Sequence, residues 1–248
     1  MRSDTLRLTP ETRHLKPCLW AQGLWCHLKM YYFIEAMTED DIPYVQVIER
    51  QSFTTPWSAN TYRREIRDLQ HCRYVIARAS PTPPGQLPRR PTPTPPRPFG
   101  VLSQLVSIFL PESPAHAPSS LPPDPTPIVG YGGIWLTVDD AHITTIAVDP
   151  TYRGQGVGEL LLNALIDHAY DLGAHQITLE VRISNTGAQR LYLKYGFQPG
   201  GTRPRYYTDN SEDALIMWTE GINTAEFKAR LAELRRQLVV RLQRQADG

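Results

Sequence analysis

The chain has 248 residues, 41% of them apolar, and its 26 Lys and Arg nearly balance 25 Asp and Glu, leaving a formal charge of +1. That balance excludes binding to nucleic acid or to an anionic membrane surface through a general excess of basic charge, although specific contacts stay open. Cys18, Cys26 and Cys72 form no CxxC pair and no zinc spacing with the scattered histidines, which points to a reduced, cytoplasmic chain without a metal, Cys72 beside His71 being structural.

No run approaches the length of an apolar membrane span, and Arg2, Asp4, Arg7 and Glu11 stand where a signal peptide needs an apolar core, so the expectation is a soluble chain that is not exported. Residues 1–29 lack a clear period and read as a poorly ordered extension, with a short helix open around CLWAQGLW. They are expected to be dispensable or an upstream start to the reading frame. From Met30 the pattern sharpens. YYFIEAM predicts a first strand, Thr38 opens a helix, and Ile42, Val45, Val47 and Ile48 form its buried face. After Pro56-Trp57-Ser58, with Ser58 as N-cap, a helix from Ala59 to Leu69 turns Tyr62, Ile66 and Leu69 to one side. A second strand follows from Arg73 to Ala79.

Composition then breaks, since 16 of the 23 prolines lie between Pro81 and Pro127. Proline at that density removes backbone donors, so residues 80–127 are predicted to be a long disordered or polyproline-like insert. Its apolar island, Phe99 to Leu110, either packs as a strand or short helix or is buried only transiently. Ile128 to Val138 makes the third strand, an Asp139-Asp140 turn leads to the fourth, and the insert therefore sits inside a hairpin.

The fourth strand, His142 to Val148, ends at Asp149-Pro150 and runs into Arg153-Gly154-Gln155-Gly156-Val157-Gly158, after which the leucines keep one helical face apolar. Backbone amides at a helix start, with glycines that admit close approach, suit a phosphate group. The Walker pattern is absent, and the dinucleotide pattern fails because Glu159 and Leu161 occupy its last glycine position. A plain glycine-rich connection is the alternative. Gly173 ends the helix, and Gln176 to Val181 forms a fifth strand, parallel and adjacent to the fourth. A helix from Asn185 to Tyr195 follows, then a strand from Phe197, a Pro-Gly-Gly turn and a last strand from Ala214 to Trp218. Asn223 and Glu226 mark the start of a C-terminal amphipathic helix carrying Phe227, Leu231, Leu234, Leu238 and Leu242. Its Arg230, Arg235, Arg236, Arg241 and Arg244 read as a solvated face, with RNA or ribosome contact as the lesser alternative.

The Arg153–Gly158 loop after Ile146-Ala147-Val148 resembles the acetyl-coenzyme A loop of the GNAT acetyltransferase superfamily. The run LEVRISNTGAQRLYLKYGF from Leu179, followed by GTRPRYYTDNSEDALIM, is similar to the bacterial RimI family within it, over Met30 to about Trp218 without the insert. The resemblance implies an α/β fold of α+β type, a mixed and mostly antiparallel sheet whose central parallel pair is splayed for acetyl-CoA, with helices on both faces. It divides the chain into the extension 1–29, an acetyltransferase domain 30–220 holding the insert, and a C-terminal helix 221–248.

The implied activity is transfer of acetyl from acetyl-CoA to the N-terminal alanine amine of a small-subunit ribosomal protein, by direct attack in a ternary complex. No metal, membrane or nucleic acid is expected, and the protein is expected to be a monomer. Glu180 matches the family's base and Tyr192 its acid. An N-terminal ammonium has a pKa of about 7.7–8.0 and must lose its proton, and a leaving thiolate, pKa about 8.5, gains from receiving one. Ile146, Ala147 and Val148 should meet the pantetheine arm, Arg153, Gly154, Gln155, Gly156, Val157 and Gly158 the pyrophosphate, and Asn185 the cofactor or its own helix start. Trp57, Tyr206 and Tyr207 match the walls of the acceptor groove. Two other readings stay open: a sister enzyme acting on another N-terminus, a lysine or a small amine, and an acyl-CoA-binding module without catalysis.

Overall fold

Seven strands form where the β-branched and aromatic runs lie: β1 (Tyr31–Ala36), β2 (Cys72–Ser80), β3 (Ile128–Thr137), β4 (Asp140–Val148), β5 (Gln176–Arg182), β6 (Phe197–Tyr207) and β7 (Glu212–Thr219). The computed structural model describes residues 30–83, 86 and 126–247, so the N-terminal extension, most of the insert with its apolar island, and Gly248 lie outside the described residues. The strands make one sheet in the order β1-β2-β3-β4-β5-β7-β6. Every neighbouring pair is antiparallel except β4 and β5, which helix α3 (Val157–Asp171) connects by a crossover.

The mixed sheet is covered on both faces. Helices α1 (Ile42–Ser52) and α2 (Ala59–Arg67) bury Ile42, Val45, Ile48 and Tyr62 against Tyr74, Ile76 and Tyr131. Helices α3, α4 (Thr186–Lys194) and α5 (Ala225–Asp247) close the other face, where Leu161, Leu162, Leu165 and Ile166 are fully buried among Ile134, Ile177 and Phe197. Each such side chain contributes about 1.5–3 kcal/mol relative to exposure, so α3 is the main anchor of that face. Phe227, Leu231 and Leu234 of α5 join the same core.

Helix starts follow the capping residues. Thr38 and Asp41 form a reciprocal capping box before a short 3-10 turn into α1. The Ser58 hydroxyl accepts from the Thr61 amide at 3.1 Å and caps α2. Across the base of the insert, the Ala79 amide donates to the Pro127 carbonyl at 3.1 Å and Arg78 Nη1 to the Thr126 carbonyl at 2.7 Å.

Four local expectations are corrected. The β3–β4 turn is Val138-Asp139 rather than Asp139-Asp140, because pairing continues to Thr137 and Asp140. Pro199-Gly200-Gly201 is a bulge inside β6 rather than a turn: the Trp218 ring lies 2.6 Å from where a Cβ of Gly200 would stand. Thr224 caps α5 through the Phe227 amide, while Asn223 donates to the Ala174 carbonyl. Leu69 lies beyond the end of α2 and is exposed.

The arginines of α5 also depart from a uniformly solvated face. Arg235 pairs with Asp167 at 2.5 Å and donates to Asn163, and Arg241 pairs with Glu159, so both reach back onto α3.

Candidate active site

Strands β4 and β5 pair only from Asp140 with Gln176 to Ile143 with Leu179, and then part. The cause is visible on the other side of β4. Against β3, Gly133 pairs with Thr145 but Ile134 with Ile143, so Thr144 is an extra residue in the ladder. A bulge bends the strand that contains it, and this one turns β4 away from β5 at the residue where Glu180 begins the unpaired edge.

Alternation fixes the faces. Ile177, Leu179 and Val181 enter the core under α3, which leaves Thr178, Glu180 and Arg182 on the α1–α2 face. His142 of β4 joins them: its Nε2 lies 3.1 Å from Glu180 Oε2 and its Nδ1 2.9 Å from Thr178 Oγ1. Arg203 of β6 reaches the other oxygen of Glu180 at 3.1 Å. The Glu180 carboxyl is 8% exposed, yet the His142 hydrogen bond, with the charges of His142 and Arg203, outweighs burial and holds it below the usual carboxylate range.

Of the aromatic residues expected around the acceptor, Tyr206 and Tyr207 lie within electrostatic reach of Glu180. Tyr206 and Tyr207 meet edge to face with centroids 5.2 Å apart, and the Arg182 guanidinium stacks 3.9 Å over Tyr207. Arg182 is itself clamped by Asp209 at 2.9 Å and Glu212 at 3.0 Å. Burial pushes the Tyr207 phenol up to about 12. Asp209 also bonds Thr54, which ties the β6–β7 turn to the segment before Trp57. Trp57 donates its amide to Glu49 at 3.0 Å and lies 5.8 Å from the ring of Tyr62, whose hydroxyl donates to Glu49 at 2.6 Å. Burial raises the Glu49 carboxyl above its ordinary value, against the hydrogen bonds from the Trp57 amide and the Tyr62 hydroxyl. On the same face, Tyr131 Oη and Thr145 Oγ1 are buried with no hydrogen-bond partner among the described residues.

Tyr192 sits on the opposite side of the sheet, buried in the core under α4 with its ring 5.6 Å from Phe197. Burial, then the nearby Tyr207, raises its phenol above the ordinary value. Tyr207 likewise feels Glu180, so one side chain lies within electrostatic reach of both.

The glycine loop meets α3 with Gly154 at φ +76° and Gly156 at φ +90°, left-handed values that favour glycine. Within α3 the Leu160 amide donates back to the Gly156 carbonyl, and the amides before it lack intrahelical partners by geometry. Val157 is buried and anchors the loop, Gln155 accepts from the Tyr32 hydroxyl at 2.5 Å, and Gly158 lies against Val148. Arg153 donates to the Val148 carbonyl at 3.1 Å, and Asn185 caps α4 through the Ala188 amide at 3.1 Å. Ile146 and Val148 face the α3 core while Ala147 faces the tyrosines. Of the expected residues, the fold thus brings Glu180, Trp57, Tyr206 and Tyr207 to one face and the loop to the far end of β4.

His142, Arg203 and the Thr144 bulge are the parts that reading the residues missed. Alternation carried a signal for the first: His142 and Thr178 occupy paired outward positions of neighbouring parallel strands. Nothing in Thr144-Thr145 distinguishes a bulge from an ordinary strand.

The profile of the Acetyltransferase (GNAT) family matches residues 92–197. A Bacillus subtilis (strain 168) protein provisionally named ribosomal protein bS18-alanine N-acetyltransferase is 35% identical over 185 residues, covering 75% of this chain and 93% of that protein. The crystal structure of the Escherichia coli ribosomal-protein-S18-alanine N-acetyltransferase superposes with a TM-score of 0.53 at 26% identity, over 79% of this chain and 96% of that one. The fold is shared too by yncA of Salmonella typhimurium, solved with its cofactor acetyl-CoA, at 14% identity and a TM-score of 0.52 over 77% and 94% of the two chains. The chain belongs to the GNAT family of N-acetyltransferases and is RimI-like within it.

Proposed function

We propose that the protein acetylates the N-terminal α-amine of a small-subunit ribosomal protein, bS18, at alanine, with acetyl-CoA as the donor. The observation that carries this reading is the parting of β4 from β5 beside a buried carboxylate and two tyrosines of the β6–β7 hairpin. Similarity over nearly the whole length of the Bacillus relative supports the choice of acceptor.

The residues fit the donor. Gly154 and Gly156 give the turn at the start of α3 its left-handed backbone, with open space beside Gly154, and Thr145 Oγ1 offers an unpartnered polar atom where the strands part. Residues 153–158 would hold the pyrophosphate, and the edge of β4 from Ile146 to Val148 the pantetheine arm. Acetyl-CoA supplies an acetyl thioester activated toward amines.

Glu180 orients the cationic N-terminus and accepts its proton, directly or through a water. His142 is a positioning residue, holding Glu180 at one oxygen while Arg203 holds the other. A carboxylate so held remains ionised at neutral pH, which favours binding the ammonium form. Tyr192, on the α4 side of the sheet opposite Glu180, is assigned as the proton donor for the departing sulfur from the resemblance, and burial keeps its phenol protonated. Trp57, Tyr206 and Tyr207 give the acceptor peptide rigid walls.

The test is acetyl transfer to peptides carrying the bS18 N-terminus, read by mass spectrometry beside lysine-bearing and other N-terminal peptides. Glu180→Gln should lower kcat by about a hundredfold or more with CoA binding intact. Equal transfer to all acceptors would remove the ribosomal assignment, and full turnover in Glu180→Gln would remove Glu180 as the base.

A further inference from the structure

Helix α5 packs its last turns against the phosphate loop. A Cβ at Gly156 would stand 3.0 Å from Leu242 Cδ2 and 3.5 Å from both Leu238 Cδ1 and Arg241 Nη2. Arg241 ends on Glu159, which Lys194 of α4 also holds at 2.6 Å and the Tyr195 hydroxyl at 2.9 Å.

Glu159 poses a problem for an anion site. It lies in the first turn of α3, three residues past Gly156, and a carboxylate there repels any phosphate bound at the loop. Two cations meet that one carboxylate, so the cluster carries a net positive charge rather than a negative one. Both remain reachable from solvent, with side chains 42% exposed for Arg241 and 33% for Lys194, while Glu159 is 8% exposed. Burial alone would raise the Glu159 carboxyl, but the hydrogen bonds from Lys194, Arg241 and Tyr195 hold it low, so it stays an anion and keeps both cations in place.

We propose that Arg241, carried to the loop by α5, is a cofactor-affinity residue: with Lys194 it reverses the charge of Glu159 and makes the start of α3 select ligands that bear a diphosphate. The inference rests on the reading of residues 153–158 as the pyrophosphate loop. It assigns to the C-terminal helix a part in binding CoA beyond completing the core.

The test is titration calorimetry of the intact protein with CoA and with pantetheine, which lacks the phosphates, at low and high salt. Arg241→Gln should weaken CoA binding about five- to tenfold at low salt, less at high salt, and leave pantetheine unchanged. Arg241→Lys should recover most of the loss. Lys194→Gln, which leaves α5 intact, should show the same selective loss and covers the case in which Arg241→Gln fails to fold in a thermal melt. Equal weakening of CoA and pantetheine would mean a packing role only and overturn the proposal, as would unchanged CoA affinity in the folded variants. Wild-type protein that binds CoA no better than pantetheine would sink the loop assignment itself, and this inference with it.

Discussion

Glu180 meets opposing demands. As a proton acceptor it gains from a pKa near that of the amine, yet His142 and Arg203 push it the other way. The outcome is a carboxylate charged well below neutral pH, so the acid limb of kcat/KM is expected near the amine's own pKa of about 7.7–8.0 rather than near that of a carboxyl. His142→Gln removes the leading cause of the depression. The Glu180 carboxyl should then titrate at higher pH, followed by carbon NMR of the labelled side chain, with a smaller loss of turnover than in Glu180→Gln. An unchanged titration would show that His142 does not govern Glu180.

Among elements, the β6–β7 hairpin is held by ion pairs and the glycine loop by left-handed backbone. Glu212 accepts from the Ser184 hydroxyl and amide and pairs with Arg182, which takes its carboxyl down to about 2. A depressed acid stabilises the fold above its unfolded value of about 4.3 and loses that effect as pH falls through the folded value. The clasp on Arg182 should therefore hold through mild acid and loosen only as pH drops from about 4 toward about 2, a transition that Glu212→Gln should diminish, leaving the part due to Asp209, in a tyrosine-fluorescence titration. At the loop, Gly156→Ala sets a Cβ 3.0 Å from Leu242 on a left-handed backbone. It should cost about 1–2 kcal/mol in urea unfolding and weaken CoA binding as α5 is pushed off the loop.

For the whole molecule, the insert is closed at its base by the Ala79 to Pro127 and Arg78 to Thr126 hydrogen bonds between strands already paired side by side. Loop-closure entropy changes slowly with length. Replacing residues 84–125 by a short Gly-Ser turn should leave CoA affinity unchanged and the melting temperature within a few degrees, measured by calorimetry; a collapse in either would make the insert part of the domain. Helix α5 is different in kind. Leu231 is 5% exposed in the shared core, and Leu231→Ala should cost about 2–4 kcal/mol.

Order along the chain, the parallel pair and most helix starts were legible because they depend on neighbours in sequence: alternation, glycine spacing, and Ser58 or Asn185 at a cap. The resemblance supplied Glu180 and Tyr192. Tertiary structure alone decided what lies across from what. The bulge at Thr144 lets β4 stay paired with β3 while it parts from β5, and the pairing of Glu180 with His142 and Arg203 joins three strands. The Arg241 contact with Glu159 spans 82 positions, a distance over which no local pattern of residues carries information about proximity.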